Sequence, residues 1–326
     1  MNVSILVFED CISLPPIASM ELLHKAGLLY NQVTGNNKTE SFFSVKLVGL
    51  NASPVLAANN FPVHCHTTID QVHHTDLVIV PALDDNLLIQ LKKKQACIPW
   101  LKQMHEQGAD LVSICTGAFI LAETGLLDGK AATTHWNATN LFQRKYPQIE
   151  LLSQNIIVDQ GQISTSGGAT SMFNLLVYLV EKYCGVETAR LTERMYLIDM
   201  NKTSQGAYAI FSAQKNHNDQ KVLKAQSLIE ERGYEQLSVG LISEKVGVSR
   251  RNFVRRFKNA TGHTPMEYIH RVKVERAKRL LEITRDSFAE IVYNLGYEDI
   301  GSFRRVFTRI TGISPSEYRK KYCRQF

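Results

Sequence analysis

The six cysteines of this sequence (Cys11, Cys65, Cys97, Cys115, Cys184 and Cys323) lie far apart with no C-x-x-C pair, which excludes a disulfide framework or a zinc ribbon as the organising device. No apolar run approaches the roughly eighteen residues needed to span a bilayer, so no membrane partner is expected. The opening MNVSILVFED lacks the basic start of a signal peptide, and the expected location is therefore the cytoplasm. No Gly-x-Gly-x-x-Gly or phosphate-loop pattern follows an apolar run, so no nucleotide cofactor is expected. His64, Cys65, His66, His73 and His74 resemble a set of metal ligands in composition only. In an extended stretch His64 and His66 share one face while Cys65 points to the other, so no metal is expected.

What is present divides in two. The 326 residues suffice for two or three domains, and the whole-chain charge of +6 hides an asymmetry. From Lys215 onward there are 23 Lys+Arg against 13 Asp+Glu, a balance of +10, which leaves 14 against 18, or −4, for residues 1–214. A basic terminal third suits a polyanion, because cationic side chains that neutralise phosphates release condensed counterions.

That basic third is written twice. Phe253 to Tyr268 reads Phe-x3-Phe-x3-Thr-Gly-x-Thr-Pro-x-Glu-Tyr, and Phe303 to Tyr318 repeats it at an offset of 50 with Ser for the second Thr. Upstream, with a slip of one residue, Ile242, Val246, Gly247 and Val248 answer Ile291, Leu295, Gly296 and Tyr297. Each copy reads as helix, tight glycine turn, helix, the arrangement that lays a second helix in a DNA major groove. The two units are expected at about 239–259 and 288–309. In the first, Ser249 is expected to cap a helix whose Phe253 and Phe257 face a core, leaving Arg250, Arg251, Asn252, Arg255 and Arg256 for DNA. In the second, Phe303 and Phe307 are the anchors and Gly301, Ser302, Arg304 and Arg305 the candidate contacts, with Ile300 and Arg309 beside them. Arginine suits base edges and phosphates alike. Glu267 to Ile283 carries the apolar spacing of one long connecting helix.

The last hundred residues resemble the DNA-binding domain of AraC/XylS-type transcription regulators. The residues that carry the likeness are Ile242, Gly247, Ser249, Phe253, Phe257, Gly262, Pro265, Tyr268, Ala277 and Leu281, then Ile291, Gly296, Tyr297, Phe303, Phe307, Gly312, Pro315, Tyr318 and Arg319. One departure is Lys273, where such sequences carry Arg. The resemblance implies double-stranded promoter DNA as partner.

Ahead of this module, short apolar runs alternate with helical patterns. Val3–Phe8, Val45–Leu50, Leu77–Pro81, Leu111–Ile114, Ile156–Val158 and Ile163–Thr165 read as strands. Helices are expected at 18–26, 85–107, 170–184 and 188–200, the last with apolar residues suited to a core or to a homodimer contact. This rhythm argues for a mostly parallel sheet with helices on both faces. The domain is expected to span 1–201, followed by a linker at 202–219 and the DNA-binding domain at 220–326.

Within the sheet domain, Ser113-Ile114-Cys115-Thr116-Gly117 presents a thiol at a small-residue turn between an apolar strand and a helix. The helix N-terminus is expected to favour a thiolate, and His135 offers a base twenty residues on. The plainer reading makes Cys115 a small buried side chain. The block CTGAFILAETGLLDGKAATTHW resembles the PfpI-type, class I glutamine amidotransferase-like domain found fused to AraC-type units. That resemblance implies an α/β flavodoxin-like fold with Cys115 and His135 as the site pair. It also marks two departures from the enzymes: no acid between Ile12 and Met20, and Pro81-Ala82-Leu83 in place of Pro-Gly-Gly. The expectation is a regulator without catalysis, binding a small effector at Cys115, Thr116, His135 and Glu21; the resemblance implies a nitrogen-containing metabolite as that effector. The alternative is a Cys-dependent hydrolase or amidotransferase-like enzyme fused to a DNA-binding module.

Overall fold

The computed structural model describes residues 1–323 except 52, 85, 169, 203, 214 and 233–236. The chain forms two compact units, Met1–Gln205 and Gly206–Phe326.

The first unit is built on a seven-stranded sheet. In chain order the strands are β1 (Asn2–Val7), β2 (Ser44–Gly49), β3 (Val55–Ala57), β4 (Phe61–Val63), β5 (Thr67–Thr68), β6 (Leu77–Val80), β7 (Asp110–Ile114), β8 (Ala131–Ala132), β9 (Glu150–Leu151), β10 (Ile157–Asp159) and β11 (Ile163–Ser166). The sheet order is β10-β11-β7-β6-β1-β2-β5, parallel throughout except for the edge strand β10, while β3-β4 and β8-β9 pair separately. Leu77 to Val80 and Leu111 to Ile114 are wholly buried, as strands covered on both faces must be. The helices are α1 (Leu14–Val33), α2 (Leu87–Lys93), α3 (Cys97–Glu106), α4 (Ala118–Glu123), α5 (Thr139–Lys145) and α6 (Ser171–Tyr196). From β1 the chain moves through α1 to β2 on one side, and from β6 through α2 and α3 to β7 on the other. Right-handed crossovers in opposite directions put these helices on opposite faces and create a switch point between β1 and β6.

Three expected helices come out differently. The helix read from 85 to 107 is two, α2 and α3, because Pro99 has no N–H to donate and its ring clashes with the carbonyl four residues back, which suits it to the first turn of α3 and not to the interior of one longer helix; Asp85 lies outside the described residues. The stretches read as 170–184 and 188–200 join in α6, broken only at Gly185 (φ 81°), and end at Leu197 in the left-handed region.

The second unit is helical: α7 (Gln220–Glu231), α8 (Val239–Lys245), α9 (Arg250–Thr261), α10 (Pro265–Ile283), α11 (Phe288–Asn294), α12 (Ile300–Thr311) and α13 (Pro315–Tyr322). It has two cores. Phe253, Phe257 and Tyr268 close one with Val222, Ala225 and Ile229; Phe303, Phe307 and Tyr318 close the other with Val274, Ala277 and Leu281. Those last two trios stand 52 residues apart, so α10 serves the second core as α7 serves the first. Hydrogen bonds repeat too: Tyr268 donates to Glu230 Oε1 at 2.7 Å and Tyr318 to Glu282 Oε1 at 2.5 Å. Reciprocal Thr264/Glu267 and Ser314/Glu317 caps start α10 and α13. Lys273 is buried, donates from Nζ to Leu295 O at 2.7 Å and lies over the Tyr297 ring, fixing α10 to the turn of the second unit. Desolvation, with Arg276 nearby, pushes its pKa down to about 8.

Residues 206–213 of the stretch read as a linker pack onto this unit. Ala207 enters the second core, Lys278 Nζ donates to Ala209 O at 2.5 Å, and the Phe211 ring meets that of Tyr268 at 5.1 Å. Thr203 and Gln214, also in that stretch, lie outside the described residues.

Candidate ligand cavity and nucleic-acid interface

The switch point between β1 and β6 is where an open α/β sheet leaves a crevice beyond the carboxyl ends of its strands. A cavity of about 670 Å³ lies there, lined by Ile12 after β1, Leu83 and Asp84 after β6, Cys115 and Thr116 after β7, and His135. Further lining comes from Asn86 to Ile89, Asn137, Ala138 and Leu141. The segments that follow β1 and β6 are held together by Ile12 N donating to Ala82 O at 3.0 Å and Asp84 N to Asp10 O at 3.2 Å.

Three of the four expected ligand residues meet here. Cys115 sits at φ 58°, the left-handed conformation of a tight elbow, and is 5% exposed. Burial pushes its thiol up to about 11, only partly offset by hydrogen bonding with Thr116. The expected thiolate is therefore corrected: desolvation of a charged sulfur outweighs the start of the six-residue helix α4. Thr116 Oγ1 donates to Leu83 O at 2.8 Å, joining the elbow to the segment after β6. His135 Nδ1 accepts from Asn137 N at 3.1 Å, so the neutral ring carries its proton on Nε2. Burial also holds its pKa below the usual value. No hydrogen bond among the described residues joins Cys115 to His135.

Glu21 is not with them. It is exposed on α1, two turns beyond the start of the helix at Leu14, and is absent from the lining. The acid that does line the cavity is Asp84, the sole carboxylate there among the described residues. No motif surrounds it, and only the strand order places it opposite Ile12. The histidine-rich stretch does not assemble: His66 Nδ1 accepts from Leu47 N at 3.0 Å, His74 lies 3.5 Å from Asp76, and no metal-holding group of three occurs among the described residues.

In the second unit, α9 and α12 bury Phe253, Phe257, Phe303 and Phe307 and turn their other faces out. Ser249, Arg250, Arg251, Arg255, Arg304 and Arg305 are exposed; Asn252, Gly301 and Ser302 are half-buried. Ser249 occupies the N-cap position of α9, but its side chain makes no cap hydrogen bond, whereas Asp299 caps α12 through Gly301 N at 2.9 Å. Asn252 Oδ1 accepts from Arg255 at 3.1 Å, and Arg304 lies over the Phe288 ring. Arg256 departs from the expected contact role: it forms a two-pronged pair with Asp219 at 2.8 and 2.7 Å, and Asp219 is itself the cap of α7. Its guanidinium is committed to holding α9 against α7.

Comparison with known proteins agrees with both halves. The DJ-1/PfpI family model matches residues 18–182 and a helix-turn-helix domain model matches 242–321. A model for bacterial regulatory proteins of the tetR family matches 223–260, from within α7 to the last turn of α9. The HTH-type transcriptional regulator CdhR of Pseudomonas aeruginosa is 26% identical over 274 residues, 84% of this chain and 80% of its own. Isonitrile hydratase of Pseudomonas putida is 27% identical over 150 residues, 46% of this chain and 63% of its own. The crystal structure of Drosophila melanogaster DJ-1beta shares the fold of the first unit, with a TM-score of 0.51 and 17% identity over 61% of this chain and 98% of that one.

Proposed function

Since the chain belongs to the DJ-1/PfpI family over its first unit and continues into a paired helix-turn-helix unit, we propose that it is a DNA-binding transcription regulator whose first unit binds a small effector in the Cys115 cavity. The observation that carries the DNA reading is the pairing of α9 and α12. Each is anchored inward by two phenylalanines at the same offset and presents arginines outward. The 19 residues of α10 between them run about 28 Å, which on this reading sets the two reading helices on the scale of one duplex turn, roughly 34 Å. Electrophoretic shifts with a duplex selected by the protein from a random pool test it. Arg250→Ala with Arg304→Ala should abolish the specific shift, and an unaltered shift refutes the reading.

The effector reading rests on the cavity's chemistry. Its described walls are largely apolar, with one carboxylate, Asp84, the amides of Asn86 and Asn137, and no lysine or arginine. Such a cavity has a partner for a cation and none for an isolated anion. A small nitrogen-containing metabolite bearing a positive charge fits best. In thermal-shift measurements such compounds should raise the melting temperature of the full chain, and Asp84→Asn should remove the response. Catalysis is disfavoured: the thiol is held protonated, the Nδ1 lone pair of His135 is taken, and no hydrogen bond links the two. Homodimerisation, if the regulator acts as a pair, is assigned to the exposed Leu191 and Met195 of α6 and is checked by sedimentation.

A further inference from the structure

Gln205 ends the first unit and is 3% exposed. Its Oε1 accepts from the backbone N–H groups of Trp136 and Gly168, each at 3.2 Å. Its Nε2 faces four acceptors: Thr134 O at 2.8 Å, Ser153 O at 3.0 Å, and Thr133 Oγ1 and Asn155 O at 3.3 Å. One amide therefore ties the turn that carries His135 to the turn after β11 and to the loop after β9. The fit is close, since a Cβ at Gly167 would fall 2.6 to 2.8 Å from the amide's three heavy atoms, and one at Gly168 would meet His135 Cδ2 at 3.6 Å. A buried amide with donors and acceptors all engaged resists displacement, because any partner it leaves is stranded away from water.

The next residue belongs to the other unit. A Cβ at Gly206 would meet Ile310 O at 2.7 Å and Thr311 O at 3.0 Å, the carbonyls that end α12, and Ala207 lies in the second core. No residue separates the two anchored positions, so the link between them is a single peptide unit. We infer that Gln205 is a positioning residue that couples the His135 turn of the effector cavity to the C-terminal end of α12. The inference rests on the functional reading above and adds the route between its two sites. Coupling of this kind is reciprocal, so DNA bound by α12 must act on the His135 turn as an effector in the cavity acts on α12.

The reciprocal direction can be tested before any effector is known. The full chain has two tryptophans, and Trp100→Phe leaves Trp136 as the sole emitter. Titration with the selected duplex should shift Trp136 emission. Gln205→Met, which keeps the side chain's length and removes both halves of the amide, should lose that shift while retaining duplex binding and the parent's circular dichroism. Gly206→Ala approaches from the other side and remains decisive if Gln205→Met does not fold: crowding the end of α12, it should change the duplex-induced shift while leaving the emission of the unbound protein as it was. A protein that binds the duplex without any Trp136 response, a Gln205→Met variant that keeps the full response, or an unchanged response in Gly206→Ala overturns the inference. Failure to bind any selected duplex would instead sink the functional reading on which it stands.

Discussion

Cys115 shows how one side chain can keep a reactive shape without reactive chemistry. Its backbone adopts the elbow conformation of a nucleophile, yet the sulfur is enclosed, and a thiol held up to about 11 is almost wholly protonated near neutrality. Against an unshifted cysteine its thiolate fraction at pH 7.5 is lower by a factor on the order of 100. Iodoacetamide alkylation of the Cys115 peptide, followed by mass spectrometry, should therefore be slow and should climb until the pH approaches 11; a midpoint below 8 would restore the enzymatic alternative. Arg256 makes the complementary point for charge. Arg250 and Arg256 lie on one helix, but only Arg256 is clasped by a carboxylate. Arg256→Ala should lower the denaturant midpoint of the chain and leave the salt dependence of duplex binding as it was, whereas Arg250→Ala should leave the midpoint as it was and weaken duplex binding.

At the scale of elements, the joint between α9 and α10 carries a titratable group. Burial, with Arg271 nearby, holds His263 down to about 4. Between its ordinary pKa of 6.5 and that value, the unfolded chain binds a proton the folded chain does not, so stability falls as pH drops from 6.5 towards 4. The cost is at most about 3 kcal/mol at the acid end. His263→Gln should flatten that part of the urea-midpoint profile, and an unchanged slope would refute the assignment. The same region shows why some elements were legible in the sequence and others not. The Phe-x3-Phe and Thr-Gly-x-Thr-Pro patterns recur because aromatic anchors and capped turns tolerate few substitutes. The match of α7 with the second half of α10 was not legible, because Val222/Val274 and Ala225/Ala277 supply ordinary core bulk that many sequences provide. In the sheet unit the long buried strands announced themselves, while β5, β8 and β9, two residues each, have no period to read. Cys115, Thr116 and His135 could be found from local chemistry; Asp84 could not, because it joins them through strand order, and Glu21, just past the acid-free stretch from Ile12 to Met20, lies exposed on α1 outside the lining.

For the whole molecule, the charge division sets how DNA binding must respond to salt. The −4 of residues 1–214 lends nothing to phosphate binding, so the burden falls on the exposed cations of the +10 segment. On the reading helices, Arg250, Arg251, Arg255 and Lys258 of α9 and Arg304 and Arg305 of α12 are exposed candidates. If each neutralises one phosphate, the logarithm of the binding constant should fall against the logarithm of salt concentration with a slope of about −5, a loss of about 1,000-fold between 50 and 200 mM. Loss of Arg250 or Arg304 should each flatten the slope by about one if it holds a phosphate, and should instead relax sequence preference if it reads a base. Fluorescence anisotropy across a salt series separates the two. A slope shallower than about −2 would mean that only one of the twin helices touches the duplex, because two reading helices with their flanking arginines cannot both dock and displace so few counterions.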